Sequence, residues 1–548
     1  MGHELKNAAS KTSRENIEGL VLYNSPASPC ARRVRITLLE KGLEFDTVEM
    51  NLATMEQRNE QYMSLNPNGY VPTLTHGEHV IYDSKVINEY LEEQFPSRPL
   101  MPRKSIDKAL VRTWIAAEDD FSKVFRPLLY QNLMGPIQHI SRTLDEARQI
   151  NKIHTQDVND LAWGDKVWQL KVLTPAEISQ HQNYLLSWLD KLDEALENRL
   201  FIVGNRLSQA DICLFPRIEM MSFLDISLDK NRFANLLDWI ARLSDRTAFK
   251  DSMSPKGKKL ASLAKSKLMQ KTRRVLAIEA KHRHPLNKLC IWGFGHLIRR
   301  LQNVDRQLLP IQSNRDLPLP RQGAVIQFKC PAIFSEQHNT SQILSLYGSY
   351  TQLETQKVML SAQFLGLAYE HHQSLSDIPN ELSKTSRLGA FPHVALVIDG
   401  VLIMGASVIC EYLFDTFYLT RSWTSKNSFE RAKVRMWLAL EQGTNKEFDA
   451  LFQVTSVTAV HAPLSSQEEE RYIKRIQIKC SHLNQALKIS RYLCGEQASF
   501  ADLIWFSRIQ QLLQIPAFSL AGHAALLAWY DAMLIKLKNM VKQESVMV

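Results

Sequence analysis

Residues 22–36 read Leu22-Tyr23-Asn24-Ser25-Pro26-Ala27-Ser28-Pro29-Cys30-Ala31-Arg32-Arg33-Val34-Arg35-Ile36. With Leu20 and Val21 ahead of it, the first part is a short β-rich apolar run, the pattern of a buried strand at about 20–23. The run gives way to a loop, and Pro29 suits the first position of a helix, predicted over 29–42. Further strands are expected at 44–49 and across 72–82, where His76-Gly77-Glu78 makes a turn between two apolar runs. Helices are expected at 56–64 and 84–94. Strands separated by helices give a βαβ start, and the closing ββα adds an antiparallel hairpin.

The same order returns later in the chain. Ser345-Leu346-Tyr347-Gly348-Ser349 repeats the first strand and its loop. Val71-Pro72 is matched by Phe391-Pro392, and the turn after it by Asp399-Gly400. Val86-Ile87-Asn88-Glu89-Tyr90-Leu91 returns as Val408-Ile409-Cys410-Glu411-Tyr412-Leu413. Arg112-x-Trp114-x-x-x-Glu118 returns as Arg435-x-Trp437-x-x-x-Glu441, and Ser208-x-x-Asp211 as Ser499-x-x-Asp502. Matches in unchanged order define a tandem duplication.

In each copy the α/β portion is followed by long 3.6-period patterns without hairpin signals. Tyr184-Leu185-Leu186-x-Trp188-Leu189-x-x-Leu192 is one, and its apolar face belongs in a helical bundle. The expected organisation is an α/β domain at 18–97, a helical domain at 105–250 and a linker or insert at 251–340. A second α/β domain at 341–420 and a second helical domain at 426–540 complete it. The length of 548 residues, at roughly 150 per domain, agrees with four such units.

Composition excludes several classes. Apolar residues at 45% and charged residues at 22% suit an ordinary globular chain rather than a disordered or fibrous one. The net charge of +9 is local: residues 255–300 hold 13 Lys and Arg against the single acid Glu279. A basic amphipathic segment of this kind can meet an anionic partner, or can simply be a solvated connection between the copies. No secretory signal is visible at the N-terminus and no apolar run approaches the roughly 20 residues of a membrane span. Seven scattered cysteines without a C-x-x-C pair suit reduced thiols and a cytoplasmic protein. His282-Arg283-His284 and His296 do not make a metal-ligand spacing, so no metal is expected.

Four motifs together carry a family resemblance: the Leu22–Ile36 stretch, Asn66-Pro67-Asn68-Gly69-Tyr70-Val71-Pro72-Thr73-Leu74, Asp83-Ser84 and Ser208-x-x-Asp211. The chain resembles the cytosolic glutathione transferase superfamily over most of 18–250 and, more loosely, 341–540. Glu40–Phe45 and Ile87–Glu92 look most like the bacterial serine-type branch of β-etherases and reductive dehalogenases. The resemblance implies an α/β plus all-α protein: two tandem modules, each a thioredoxin-like domain followed by a helical bundle domain. It implies glutathione as co-substrate, a detoxifying transfer to a small hydrophobic electrophile, and a catalytic hydroxyl at Ser28. It further implies a cis Val71-Pro72 peptide whose main chain pairs with glutathione, and Asp83 and Ser84 at the γ-glutamyl end.

The residues allow other readings. Ser28 at a strand-to-helix junction suits a thiolate held by a hydroxyl and helix N–H groups, but also a plain N-cap. Cys30 is the alternative nucleophile; relatives with a catalytic cysteine mostly carry it two residues earlier, so a buried or inert thiol is expected. Ser208-x-x-Asp211 reads as a capping device that serves folding. In the second copy Gln352 and Glu354 stand where Ser28 and Cys30 do, and Gly405-Ala406 where Asp83-Ser84 do. That copy is therefore expected to be structural, paired with the first as an intramolecular pseudo-dimer. Two functions remain: a glutathione transferase, with ether cleavage or dehalogenation among its reactions, or a non-catalytic scaffold docking through the basic insert.

Overall fold

The computed structural model describes residues 19–154, 158–266, 344–349, 352–379, 394–417, 427–452 and 464–544, with short pieces at 269–270, 272, 276, 293, 295–300 and 382. The described residues fall in two compact units. One lies within Met1–Leu91, Phe95–Leu100 and Ala117–Gln327, the other within Glu92–Gln94, Met101–Ala116 and Phe328–Val548.

The first unit opens with β1 (Leu20–Asn24), α1 (Pro29–Lys41), β2 (Asp46–Glu49) and α2 (Glu60–Leu65). It continues with β3 (Thr73–His76), β4 (His79–Tyr82) and α3 (Ser84–Gln94). The strands form one sheet in the order β2-β1-β3-β4. β1 runs parallel to β2 and antiparallel to β3, which is the expected βαβ followed by a hairpin. Leu22, Leu74 and Ile81 lie side by side on these strands and are fully buried. The helix expected at 56–64 begins later. Met55 takes φ 56°, a 3-10 turn spans Glu56–Arg58, and the Asn59 side chain then caps α2 by accepting from Tyr62 N at 2.7 Å.

Helices follow: α4 (Ser105–Leu129), α5 (Gly135–Ser141), α6 (Leu144–His154), α7 (Val158–Trp168) and α8 (Pro175–Ala195). After them come α9 (Gln209–Ile218), α10 (Ala234–Asp245), α11 (Thr247–Asp251) and α12 (Pro255–Lys265). On α8 the buried face is Leu185, Trp188, Leu189 and Leu192, as the periodicity predicts. α9 is buried along its whole length. Its first turn is organised by Asp211, whose carboxylate accepts from Ser208 N, Ser208 Oγ, Ile202 N and Trp239 Nε1 at 2.8–3.0 Å.

The second unit repeats the sheet with β5 (Leu344–Tyr347), α13 (Leu353–Phe364), β6 (Tyr369–His372), β7 (Ala395–Ile398), β8 (Val401–Met404) and α14 (Ala406–Phe417). The order is β6-β5-β7-β8, the same as in the first. Then come α15 (Ser428–Gln442), α16 (Asn445–Leu451), α17 (Ser466–Ile489), α18 (Phe500–Leu512) and α19 (Ala524–Glu544). Asp502 reproduces the bonding of Asp211, accepting from Ser499 N, Ser499 Oγ, Leu493 N and Trp529 Nε1. This unit also contains Arg112, which pairs with Asp415 at 2.6 Å and Glu411 at 3.2 Å, and Glu93, which pairs with Arg431 and Arg435 at 2.8 Å.

Contacts group the described residues into two compact units, each joining an α/β half to a helical half. The reason is that α1 packs directly on helices of the bundle, so the α/β half and the helical half share one core. The start of the basic insert joins the first unit as well. α12 and Met269, Leu276 and Ile298 beyond it contribute to an apolar cluster with Leu133, Ile140 and Phe223. Lys256 pairs with Glu49 at 2.5 Å, and Arg299 donates to Ser141 O at 2.7 Å and pairs with Glu146 at 3.1 Å. Some of the local positive charge is thus neutralised within the unit. Most of 267–343 lies outside the described residues, and so do Phe391 and Pro392.

Replacing Asp211 leaves several buried donors without an acceptor, at about 1–3 kcal/mol each before relaxation. Asp211→Ala is expected to lower the urea midpoint of the first unit by far more than Ser208→Ala, whose cap is worth about 1 kcal/mol. Equal midpoints for the two variants would contradict this role.

Candidate active site

The register brings three motifs to one end of the first sheet. Tyr23 pairs with Thr73, and Thr73 with Tyr82. The loop leaving β1, the Val71-Pro72 turn entering β3 and the Asp83-Ser84 pair leaving β4 consequently meet there.

Ser28 is the N-cap of α1. Its Oγ accepts from Ala31 N at 3.2 Å, and its own N–H donates to Ser25 O at 3.1 Å. A hydroxyl that accepts at a helix N-terminus still holds its proton, and among the described residues that proton has no acceptor. The loop is fixed from behind by Arg35, which donates to Asn24 Oδ1 at 2.5 Å, Ser25 O at 3.3 Å and Ser252 O at 2.6 Å. Capping and thiolate stabilisation are therefore compatible at Ser28.

Val71-Pro72 is a cis peptide, as the resemblance implied. The turn before it is tied by Asn66, whose amide donates to Tyr70 O at 2.9 Å and Thr73 Oγ1 at 3.1 Å, and by Tyr62, whose hydroxyl donates to Tyr70 O at 2.6 Å. Asp83 caps α3 by accepting from Lys85 N at 2.8 Å, with φ 72° and ψ 124°. A residue with a Cβ holds that conformation at a cost of order 1–3 kcal/mol, a pattern found at functional sites. Ser84, at the first position of α3, is buried beside it.

Cys30 departs from the expectation of an inert thiol. It is partly exposed, and Arg217 donates to its Sγ at 3.4 Å. Burial would push the thiol up, but Arg217 and then Arg33 outweigh burial, with Lys85 adding to them and Asp83 opposing, so the thiol is held below the ordinary value. The other described cysteines go the opposite way. Burial raises Cys213 and lifts Cys410, Cys480 and Cys494 to about 12. Beneath Cys30, Glu118 is buried between Arg33, at 2.9 Å, and Arg217.

Comparison with known proteins gives the family of the chain. The glutathione S-transferase N-terminal domain matches residues 22–99 and again 346–421, and the C-terminal domain matches 175–247. A zeta-class glutathione S-transferase of Euphorbia esula is 42% identical over 251 residues, covering 45% of this chain and 95% of that protein. The chain belongs to the glutathione S-transferase family. A probable maleylacetoacetate isomerase of Vibrio cholerae is 27% identical over 238 residues, 42% of this chain and 93% of that protein. Among solved structures, β-etherase LigF from Sphingobium sp. strain SYK-6 is 24% identical with a TM-score of 0.39, over 43% of this chain and 98% of that one. Each relative spans about one copy of this tandem transferase.

The second copy of the transferase keeps the foundation and changes the surface chemistry. Lys357, Glu441 and Arg508 occupy the repeat positions of Arg33, Glu118 and Arg217 and are again buried as an ion-paired group. At the position of Cys30, Glu354 accepts from Lys357 at 2.6 Å. The repeat equivalent of Arg33 is thus paired with an acidic side chain here. At the position of Asp83 is Gly405 with φ 89°, which makes the same backbone turn without a Cβ. Gln352 caps α13 without a side-chain hydrogen bond. The repeat located Glu118 and Glu441 in the sequence but assigned them no role. Arg33, Arg35 and Arg217 carried no signal separable from ordinary surface charge. Among the described residues no group of three or more His, Cys, Asp or Glu is placed to hold a metal, and no helix is long and apolar enough to cross a membrane.

Alkylation of Cys30 by iodoacetamide, followed against pH, is expected to show the thiolate at lower pH than a free cysteine. Arg217→Gln should move that profile to higher pH. An unmoved profile would show that Arg217 does not control the thiol.

Proposed function

We propose that the first copy binds glutathione and holds its sulfur as a thiolate at Ser28, for attack on a small electrophile. The observation that carries this reading is the Ser28 hydroxyl, which accepts from its own helix and keeps its proton for an incoming anion. In this reading the main chain of Val71 pairs strand-fashion with the cysteinyl part of glutathione. Ser84 and the N-terminal N–H groups of α3 receive the γ-glutamyl carboxylate, while Asp83 offsets the ammonium. The glutathione thiol gives its proton to solvent, Ser28 donates to the resulting thiolate, and the sulfur forms its bond to the electrophilic carbon as that carbon's bond to the halide or alkoxide breaks, the leaving group departing to solvent with the bonding pair. Conjugation, dehalogenation and ether cleavage all begin with that thiolate. The relative named a probable maleylacetoacetate isomerase adds isomerisation to these candidate reactions. No metal takes part in this scheme, and scattered reduced thiols fit a cytoplasmic setting.

The second copy, in the same proposal, is a structural partner in an intramolecular pseudo-dimer. Symmetric pairing of the copies is the arrangement that a tandem duplication of one module permits.

Turnover of a panel of electrophiles by the full chain should fall about 100-fold in Ser28→Ala, the usual scale for losing one donor to a developing anion. Cys30→Ala should retain most of it. Loss confined to Cys30→Ala would overturn the serine assignment in favour of thioltransferase chemistry, and binding without any turnover would favour the scaffold. Calorimetry should count one glutathione per chain; two would remove the distinction between the copies.

A further inference from the structure

The basic insert brings a second arginine to a buried arginine of the first unit. Arg142 ends α5, and Arg299 belongs to the piece at 295–300; both lie outside the stretches that match the transferase domains. Both are buried, at 8% and 4% exposure. Arg299 donates from Nη1 to Ser141 O, the carbonyl immediately before Arg142, at 2.7 Å and to the Glu146 carboxylate at 3.1 Å. Arg142 donates from Nη1 to Ala53 O at 3.0 Å, in the 3-10 turn after β2. Its backbone is pinned on both sides. The N–H donates to Gln138 O at 3.1 Å, and the carbonyl accepts from Trp168 Nε1 at 3.0 Å.

The charges gathered here do not balance. The two guanidiniums have one carboxylate between them, and Glu146 already serves the start of α6, where it accepts from Thr143 N at 2.7 Å. Asp145, the other acid of that first turn, is exposed. Arg142 has no carboxylate partner among the described residues. Burial and then Arg299 pull Arg142 down to about 10, with Glu146 opposing. Arg142 Nε and Arg299 Nη2 are buried and have no hydrogen-bond partner among the described residues. Arginines that served only as struts to carbonyl groups would turn their spare donors to solvent, because a buried donor left unpaired is unfavourable. α6, of 11 residues, starts at the same place, so its positive end adds to the field.

We propose that Arg142, Arg299 and the first turn of α6 form a site for a small tetrahedral oxyanion of the phosphate type. The ion accepts from Arg142 Nε and Arg299 Nη2, the donors left over, as guanidinium groups commonly do for phosphate. With it, two buried cations face two anionic groups. Since both guanidiniums are buried, the occupant is the free ion rather than a phosphate carried on a larger molecule. The ion ties the insert, the α5–α6 junction and the turn after β2 together. None of these residues belongs to the glutathione site, and the proposal stands apart from that reading.

Calorimetric titration of the full chain with inorganic phosphate, in a chloride buffer of constant ionic strength, tests it. One phosphate should bind per chain, with affinity reduced about tenfold in Arg142→Gln and in Arg299→Gln. Glu146→Gln keeps an acceptor for Thr143 N but removes the competing charge, so it should tighten phosphate binding. Arg148→Gln, which changes a more exposed arginine of α6 paired with Asp165, should leave the affinity unchanged. If Arg142→Gln does not fold, the direction of change in Glu146→Gln decides. Absence of phosphate binding, an affinity unmoved by Arg142→Gln, or weaker binding in Glu146→Gln would overturn the site. So would a loss in Arg148→Gln equal to that in Arg142→Gln, or phenyl phosphate binding more tightly than phosphate.

Discussion

Each copy is built around one buried carboxylate held between two buried cations. In the first copy Glu118 of α4 meets Arg33 of α1 and Arg217 of α9; in the second Glu441 meets Lys357 and Arg508. These three helices come from both the α/β half and the helical half. Neither half can shift on the other without stranding a charge in the core, and removing one member of such a group costs on the order of 3–5 kcal/mol. The halves are consequently one cooperative body, and the N-terminus of α1 is set rigidly against α9. Ser28 and Cys30 sit on that N-terminus and inherit its rigidity and its positive potential.

The duplication gives two copies with the same foundation and different residues at one end of the sheet. The Asp211 and Asp502 caps bind the same four donors, and the sheets have the same order. What differs lies at the sheet end that carries the site. Where the first copy has a polarised thiol, the second has Glu354 paired internally with Lys357. Where the first holds Asp83 in a strained turn, the second has glycine. These differences support the proposal that the first copy carries the site and the second serves the structure.

Much of this was legible in the sequence. Strand and helix periods, the Pro29 and Val71-Pro72 signals and the six repeated motifs are local patterns, and local patterns survive in one dimension. The Ser208-x-x-Asp211 cap was readable because its partners lie three residues apart, although the bonds to Ile202 and Trp239 were not. The polarisation of Cys30 was hidden, because the responsible Arg217 lies 187 residues away and looks like any other arginine. The contacts that join the α/β and helical halves are likewise distant in sequence, as Arg33 to Glu118 shows. The 3-10 turn ahead of α2 depends on the backbone of Met55, which no propensity announces.

In the proposed function Ser28 holds a glutathione thiolate in the first copy. Ultraviolet difference spectra of glutathione bound to the full chain, taken across pH in a Cys30→Ala background, observe that thiolate directly and without turnover. A thiolate signal is expected at neutral pH, moving to markedly higher pH when Ser28→Ala is added. A titration unchanged by Ser28→Ala, or coincident with that of free glutathione, would contradict it.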